Sequence, residues 1–119
     1  MKAKILVVDD ELGIRLLLEE VLKEEGYKVL TAETGKQALD IIKGKLINLL
    51  VIDYKLPIVN GVDVLRKLEQ EGYLIPAILM SGMFEIIQKD IKDLSLVKFT
   101  LAKPFDIDEL TTQVSSLIN

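Results

Sequence analysis

Leu49-Leu50-Val51-Ile52-Asp53-Tyr54-Lys55-Leu56-Pro57-Ile58-Val59-Asn60-Gly61 decides the architecture. Four consecutive aliphatic residues run straight into an aspartate. A strand open to water on one side alternates apolar and polar residues, whereas an unbroken run of this length fits a strand covered on both faces of a parallel sheet. Pro57 then shapes the loop leaving the strand, and Asn60-Gly61 supplies a turn before the next helix. The same succession of apolar run and amphipathic stretch occurs five times. The strand-like runs are Lys4–Val8, Tyr27–Thr31, Leu49–Ile52, Ala77–Met80 and Val97–Leu101.

The stretches between them carry helical signals. Ile14, Leu17, Leu18, Val21 and Leu22 recur at i, i+3, i+4, i+7 and i+8, one buried stripe of a first helix that closes at Gly26. Leu12 and Leu16 fall off that stripe as an exposed i, i+4 pair. Thr34-Gly-Lys-Gln37 fits a capping box at the start of the second helix. Val62–Glu71 and Phe84–Leu94 supply the third and fourth. Asp106-Ile-Asp-Glu109 opens the fifth with acidic residues at its positive end. The order βαβαβαβαβα with right-handed crossovers predicts a three-layer α/β sandwich. With no repeat, low-complexity stretch or linker, the expectation is a single domain over residues 1–119, without an attached output domain.

Composition narrows the chemistry. Half of the residues are hydrophobic and only 5% are aromatic, so the core is expected to be aliphatic. The net charge of −4 argues against a nucleic-acid footprint, which needs a basic face. There is no cysteine and no histidine, which removes disulfides, thiolate and imidazole metal sites, and every triad built on histidine. No apolar run approaches the ~20 residues of a membrane span and no leader precedes the first strand, so the expected compartment is the cytoplasm.

A parallel sheet gathers the C-terminal ends of its strands on one edge, where ligands bind. Asp9 and Asp10 follow the first run, Asp53 the third, Ser81 the fourth and Lys103-Pro104 the fifth. Each has an ordinary explanation. Asp10 can cap the first helix, Asp53 can start a loop, Ser81 can cap a helix, and Lys103 can be a surface lysine before a turn. Adjacent carboxylates, however, raise each other's proton affinity unless a cation neutralises them. A hard divalent ion such as Mg²⁺ suits a few carboxylates and water. Taken together, the strand ends point to a site for a divalent cation and a phosphoryl group.

The combination Asp9-Asp10, Asp53-x-x-x-Pro57-x-x-x-Gly61, Ser81 and Lys103-Pro104 resembles the receiver domain of the two-component response-regulator family, from about Lys4 to Leu117. Lys4–Asp10, Gly13-Ile-Arg15, Glu25-Gly-Tyr27, Gln37–Ile41 and Ala102–Glu109 are similar, more narrowly, to free-standing receivers that forward phosphoryl groups in a sporulation phosphorelay. The resemblance implies a flavodoxin-like (βα)5 fold around a five-stranded parallel sheet and a phosphotransferase working through an aspartyl phosphate. Asp53 is then the phosphoacceptor. Asp10 and Asp53 hold Mg²⁺ directly with the backbone carbonyl of Lys55, and Asp9 orients metal-bound water; Mn²⁺ or Ca²⁺ are expected substitutes. Ser81 and Lys103 bind phosphoryl oxygens, and the Lys103–Pro104 bond is cis.

The implied partners are a sensor histidine kinase, a histidine-containing phosphotransferase and an aspartyl-phosphate phosphatase, with neither nucleic acid nor membrane, and the chain a monomer. The family points to Ile14, Leu17, Pro104 and Phe105 as the partner surface, whereas the helical wheel alone singles out Leu12 and Leu16. The chain also departs from the family. Ser81 stands where most receivers carry Thr. Thr100 occupies a position that is often aromatic in receivers that switch an output surface, and Phe99 lies on the opposite strand face. Lys55 and Met83 flank the site without a carboxylate or amide to orient an attacking water, so a long-lived acyl phosphate is expected.

Two other readings stay in view. One is a stand-alone receiver whose phosphorylated form regulates an effector by direct binding. The other is a haloacid-dehalogenase-type phosphatase, which wants Asp-x-Asp after its nucleophilic strand. Asp53-Tyr54-Lys55 and Asp9-Asp10-Glu11 both lack that pattern.

Overall fold

The apolar runs become the strands of one sheet. The computed structural model describes residues 2–82 and 84–118, without the side chains of residues 84–87. Its elements are β1 (Lys4–Val8), α1 (Leu12–Glu24), β2 (Lys28–Ala32), α2 (Gly35–Gly44), β3 (Leu49–Asp53), α3 (Gly61–Gln70), β4 (Ala77–Ser81), α4 (Phe84–Ile91), β5 (Val97–Ala102) and α5 (Ile107–Ile118). All strand pairs are parallel, in the order β2-β1-β3-β4-β5. The order reverses between β1 and β3, so a crevice opens beyond their carboxyl ends.

The two-residue pleat sorts the strand side chains into two cores. Ile5, Val7, Leu49, Val51, Ile78 and Met80 pack against Leu18 and Leu22 of α1 and Leu110 and Val114 of α5. Leu6, Val8, Leu50, Ile52, Ala77 and Leu79 pack on the other face against Ala38 and Ile42 of α2 and Val64, Leu65 and Leu68 of α3. Both faces of the central strands are therefore dry, which is why their sequences do not alternate. Each fully buried aliphatic side chain contributes roughly 1.5–3 kcal/mol.

Several boundaries differ from the sequence expectation for physical reasons. Tyr27 belongs to the stop of α1 rather than to β2. The N–H of Gly26 donates to the carbonyl of Lys23 at 3.0 Å and that of Tyr27 to the carbonyl of Leu22 at 3.2 Å, with Gly26 at φ 96°. This left-handed helix stop needs glycine and buries Tyr27 against the α1/α5 core. Leu17, expected in the buried stripe, is 38% exposed. Only Leu18 and Leu22 are fully buried, because α1 meets the sheet along a narrow line. Leu12 and Leu16 are exposed as expected. At α2, Thr34 Oγ1 accepts from the Gln37 N–H, but the Gln37 side chain reaches back to the N–H of Glu33, one residue earlier than a strict capping box.

An irregularity in β5 carries more weight. Val97 pairs with Ala77 but Phe99 pairs with Ile78, so the register skips Lys98. Such a bulge reverses the face to which every later side chain points. Val97 thus packs on the α2/α3 core, while Phe99 and Leu101 pack on the α1/α5 core.

Gly61 fixes the exit from β3. Its N–H donates to the Tyr54 carbonyl at 2.9 Å, and a Cβ at this position would land on the carbonyl oxygen of Asp53. Gly61→Ala therefore has to push the start of α3 away from the end of β3. We expect a loss of about 2–4 kcal/mol in urea unfolding; a loss below ~0.5 kcal/mol would show that the loop yields freely.

Candidate functional site

Strand parity decides which polar ends meet. Asp9 and Asp53 continue the faces of Val7 and Val51, and Lys103 continues that of Leu101, all three on the α1/α5 side. The bulge at Lys98 is what brings Lys103 to this side. Its ammonium donates to Asp9 Oδ2 at 2.7 Å and stands 3.3 Å from Asp53 Oδ2. Asp9 is fully buried, and Asp53 and Ser81 nearly so. Asp10 is exposed at the mouth.

Asp9 is further fixed by α1. Its Oδ1 accepts from the Glu11 N–H at 2.9 Å, and its backbone carbonyl accepts from the Arg15 guanidinium at 2.8 Å. Arg15 also pairs with Glu33 at 3.5 Å. The capping role open to Asp10 is not used: Glu11 is the N-cap of α1, without a side-chain cap. Asn60 caps α3 by accepting from the Asp63 N–H. Ser81, for which a capping role was also open, is instead the last residue of β4, and its carbonyl accepts from the Lys103 N–H at 3.0 Å. The β4 and β5 ends are thus locked side by side. The Lys103–Pro104 bond is cis.

The electrostatics follow from this crowding. Burial pushes the Asp53 carboxyl up to about 6 from the usual 3.8; the Lys103 charge pulls it down, and Asp9 and Asp10 push it up again. Burial opposes the charge on Lys103, but its hydrogen bond to Asp9 and the charges of Asp53 and Asp9 outweigh that and hold it above the ordinary lysine value.

Asp9, Asp10 and Asp53 each offer a carboxylate oxygen, and these oxygens lie within 4.8 Å of one another. An all-oxygen, acidic donor set suits a hard divalent cation. The charge excess over the single ammonium makes the same point: the residues fit Mg²⁺. Asp10, Glu11, Asp53, Lys55, Leu56 and Pro57 line a hollow of about 310 Å³ at this edge.

Around the site, Ile14 and Phe105 are half-buried against the α1/α5 core, whereas Leu17 and Pro104 are exposed. Thr100 faces away from Phe99, opposite Leu79. Lys55 is exposed, and Met83 lies outside the described residues. Sequence reasoning did not find Arg15 as the brace of Asp9, nor the bond from the Tyr54 hydroxyl to Asp90 Oδ2 at 2.7 Å. That bond raises the phenol above its usual value. No local pattern announces either contact, since each partner comes from another element.

Residues 5–115 match the response regulator receiver domain family. The chain belongs to that family. The receiver is 39% identical over 120 residues to sporulation initiation phosphotransferase F of Bacillus subtilis, covering 99% of this chain and 95% of that protein. It is 34% identical to the alkaline phosphatase synthesis transcriptional regulatory protein PhoP of Bacillus subtilis, covering 99% of this chain and 49% of PhoP. It spans about half the length of the transcriptional regulators it matches. Among solved structures, the response regulator TrrA of Thermotoga maritima in complex with Mg²⁺-BeF superposes with a TM-score of 0.86 at 35% identity, over 99% of this chain and 100% of that one. The receiver domain of the Francisella response regulator 1452 gives 0.89 at 31% identity, over 98% and 96%. The fold is the flavodoxin-like receiver fold, and the chain is a receiver domain of the two-component response regulators.

The raised Asp53 carboxyl has a signed consequence for the metal-free receiver. Between 3.8 and about 6 the folded state binds more protons at this group than the unfolded state, so its contribution to stability falls as pH rises through that window. The loss is on the order of 3 kcal/mol. Asp53→Asn is expected to remove this slope and to be the more stable protein at neutral pH in EDTA, measured by urea unfolding from about pH 4 to pH 7. An unchanged slope in the variant would assign it to another group.

Proposed function

We propose that this receiver accepts a phosphoryl group from a histidine kinase on Asp53 and passes it to a histidine phosphotransferase. The observation that carries the reading is the buried Asp53 carboxylate, 3.3 Å from the Lys103 ammonium and clustered with Asp9 and Asp10. A carboxylate that is both desolvated and flanked by a fixed cation is poised as a nucleophile rather than as a surface charge.

The step balances without a further reactant. An Asp53 oxygen attacks phosphorus, the P–O bond forms as the P–N bond of the phosphohistidine breaks, and the departing imidazole takes up a proton. In the forward transfer a histidine nitrogen of the second protein attacks the same phosphorus and Asp53 leaves as a carboxylate. The absence of histidine from this chain fits, since both imidazoles belong to partners. Lys103 meets the phosphoryl oxygens as a compact charge, with the Ser81 hydroxyl as the second contact.

Asp10, Asp53 and the Lys55 carbonyl are the proposed Mg²⁺ ligands, with Asp9 positioning bound water. The chemistry supplied by Mg²⁺ here is neutralisation of the carboxylates, so that an anionic group can approach them. The complex of TrrA with Mg²⁺-BeF supports this assignment. The near-complete coverage of sporulation initiation phosphotransferase F supports a relay in sporulation initiation. No helix among the described residues is long and apolar enough to cross a membrane. Ile14, Leu17, Pro104 and Phe105 are the proposed contact surface for the kinase, the phosphotransferase and an aspartyl-phosphate phosphatase. The match to the receiver halves of transcriptional regulators favours a second reading, in which the phosphorylated form binds an effector directly.

Incubation with Mg²⁺ and acetyl phosphate should add one phosphoryl to the wild-type protein by intact mass, and none to Asp53→Asn or in excess EDTA. Lys103→Met should lower labelling by roughly a hundredfold or more, as expected for loss of an electrostatic contact to the transferring group. Label that then moves to a histidine phosphotransferase favours the relay. Label that never moves but tightens an effector complex favours the second reading. No label on wild type would end both.

A further inference from the structure

Ile58 combines two features that each work against stability. It is the most exposed large apolar side chain among the described residues, at 102%. It also holds φ 68°, the left-handed region that a β-branched residue rarely enters. The Val59 N–H donates to the Pro57 carbonyl at 2.8 Å, closing a three-residue turn about Ile58. A turn of this size at positive φ is rare and strained. Ile58 belongs to neither apolar core, so nothing in the packing compensates locally.

Its position suggests what does. Pro57 lines the hollow that opens on Asp53, and Ile58 is the next residue of the same loop. Glu11, from the segment that starts α1, lines the same hollow, and Leu12, 60% exposed, follows it. Asp53 is only 6% exposed, so an imidazole reaching it has to enter past these residues. The protein that bears the imidazole must then lie on them. Exposed Leu46 and Leu74, by contrast, sit on loops at the other edge of the sheet, remote from this approach.

We infer that the strained turn presents Ile58 as an apolar anchor for the histidine-bearing partner, with Leu12 of α1 as the matching apolar contact. The partner chemistry is a phosphohistidine beside an apolar recess that receives the isoleucine. The inference rests on Asp53 being the phosphoacceptor, and it adds a contact outside the Ile14, Leu17, Pro104 and Phe105 set. A single well-seated aliphatic or aromatic side chain commonly dominates such an interface.

The test compares wild type with Ile58→Gly, Ile58→Asn and Ile58→Val. The probes are acetyl phosphate and the autophosphorylated histidine kinases and phosphotransferases of the same organism, and each variant is also melted. Labelling by acetyl phosphate should be equal in all four. Transfer from the histidine-bearing protein should fall roughly tenfold or more for Gly and Asn, through KM rather than kcat, and be largely kept by Val. Ile58→Gly should melt a few degrees higher, because glycine accepts the left-handed turn. Transfer by Ile58→Gly within about twofold of wild type would overturn the anchor, as would a parallel fall with acetyl phosphate. Label from acetyl phosphate but from no histidine-bearing protein would also overturn it while leaving Asp53 as phosphoacceptor. No label on wild type from acetyl phosphate would defeat the reading of Asp53 itself.

Discussion

Lys103 lies between two buried carboxylates, 2.7 Å from Asp9 and 3.3 Å from Asp53, and the arrangement of this receiver's site depends on that ion pair. One ammonium cannot balance three carboxylates. Beneath the cluster lies a dry aliphatic sheet, so the uncompensated charge is poorly screened; at an effective dielectric of about 20, like charges about 4 Å apart repel by about 4 kcal/mol. Burial raises the Asp53 carboxyl first, and the charges of Asp9 and Asp10 add to it against the pull of Lys103. A fully balanced cluster would be more stable and chemically idle. The deficit instead favours a divalent cation and, with it, an anionic group brought to Asp53.

A site of this kind has to be held from outside, because its own charges push it apart. The last residue of β4 and the residue after β5 are bonded to each other through the Ser81 carbonyl and the Lys103 N–H. Arg15 and the Glu11 N–H grip Asp9 from α1. Gly61 lets α3 start directly against the Asp53 carbonyl. On the far side, Tyr54 ties the segment after Asp53 to Asp90 of α4, and Arg66 of α3 holds the Asp90 carbonyl at 2.8 Å and the Asp93 carboxylate at 3.2 Å. Asp53 thus sits on a frame in which three helices, α1, α3 and α4, are tied to the sheet edge. Such a frame holds the Asp53 carboxylate in a fixed geometry.

The surface around this frame is also distinctive. Thr100 is small and polar and faces away from Phe99, so this position of β5 offers no aromatic ring to swing between the site and the surface. Two exposed apolar side chains, Leu12 of α1 and Ile58 of the loop after β3, adjoin residues that line the hollow, whereas Leu46 and Leu74 lie at the other edge of the sheet.

Much of this was readable along the chain. Uninterrupted aliphatic runs such as Leu49–Ile52 already require a strand covered on both faces, because water on either side would select alternation. The end residues Asp9, Asp10, Asp53, Ser81 and Lys103 follow from where those runs stop, and a parallel sheet brings such ends to one edge. Tertiary structure alone decided which of them touch. The bulge at Lys98 reverses the face of β5 and so turns Lys103 toward Asp9, a residue 94 positions away. It decided that Leu17 is exposed, that Tyr27 closes a helix, and that Arg15 and Tyr54 find partners on other elements. Strand burial is a property of consecutive residues and leaves its mark in composition. Register, bulges and ion pairs between distant strands arise from how whole elements pack, and no short stretch of sequence contains both halves of such a contact.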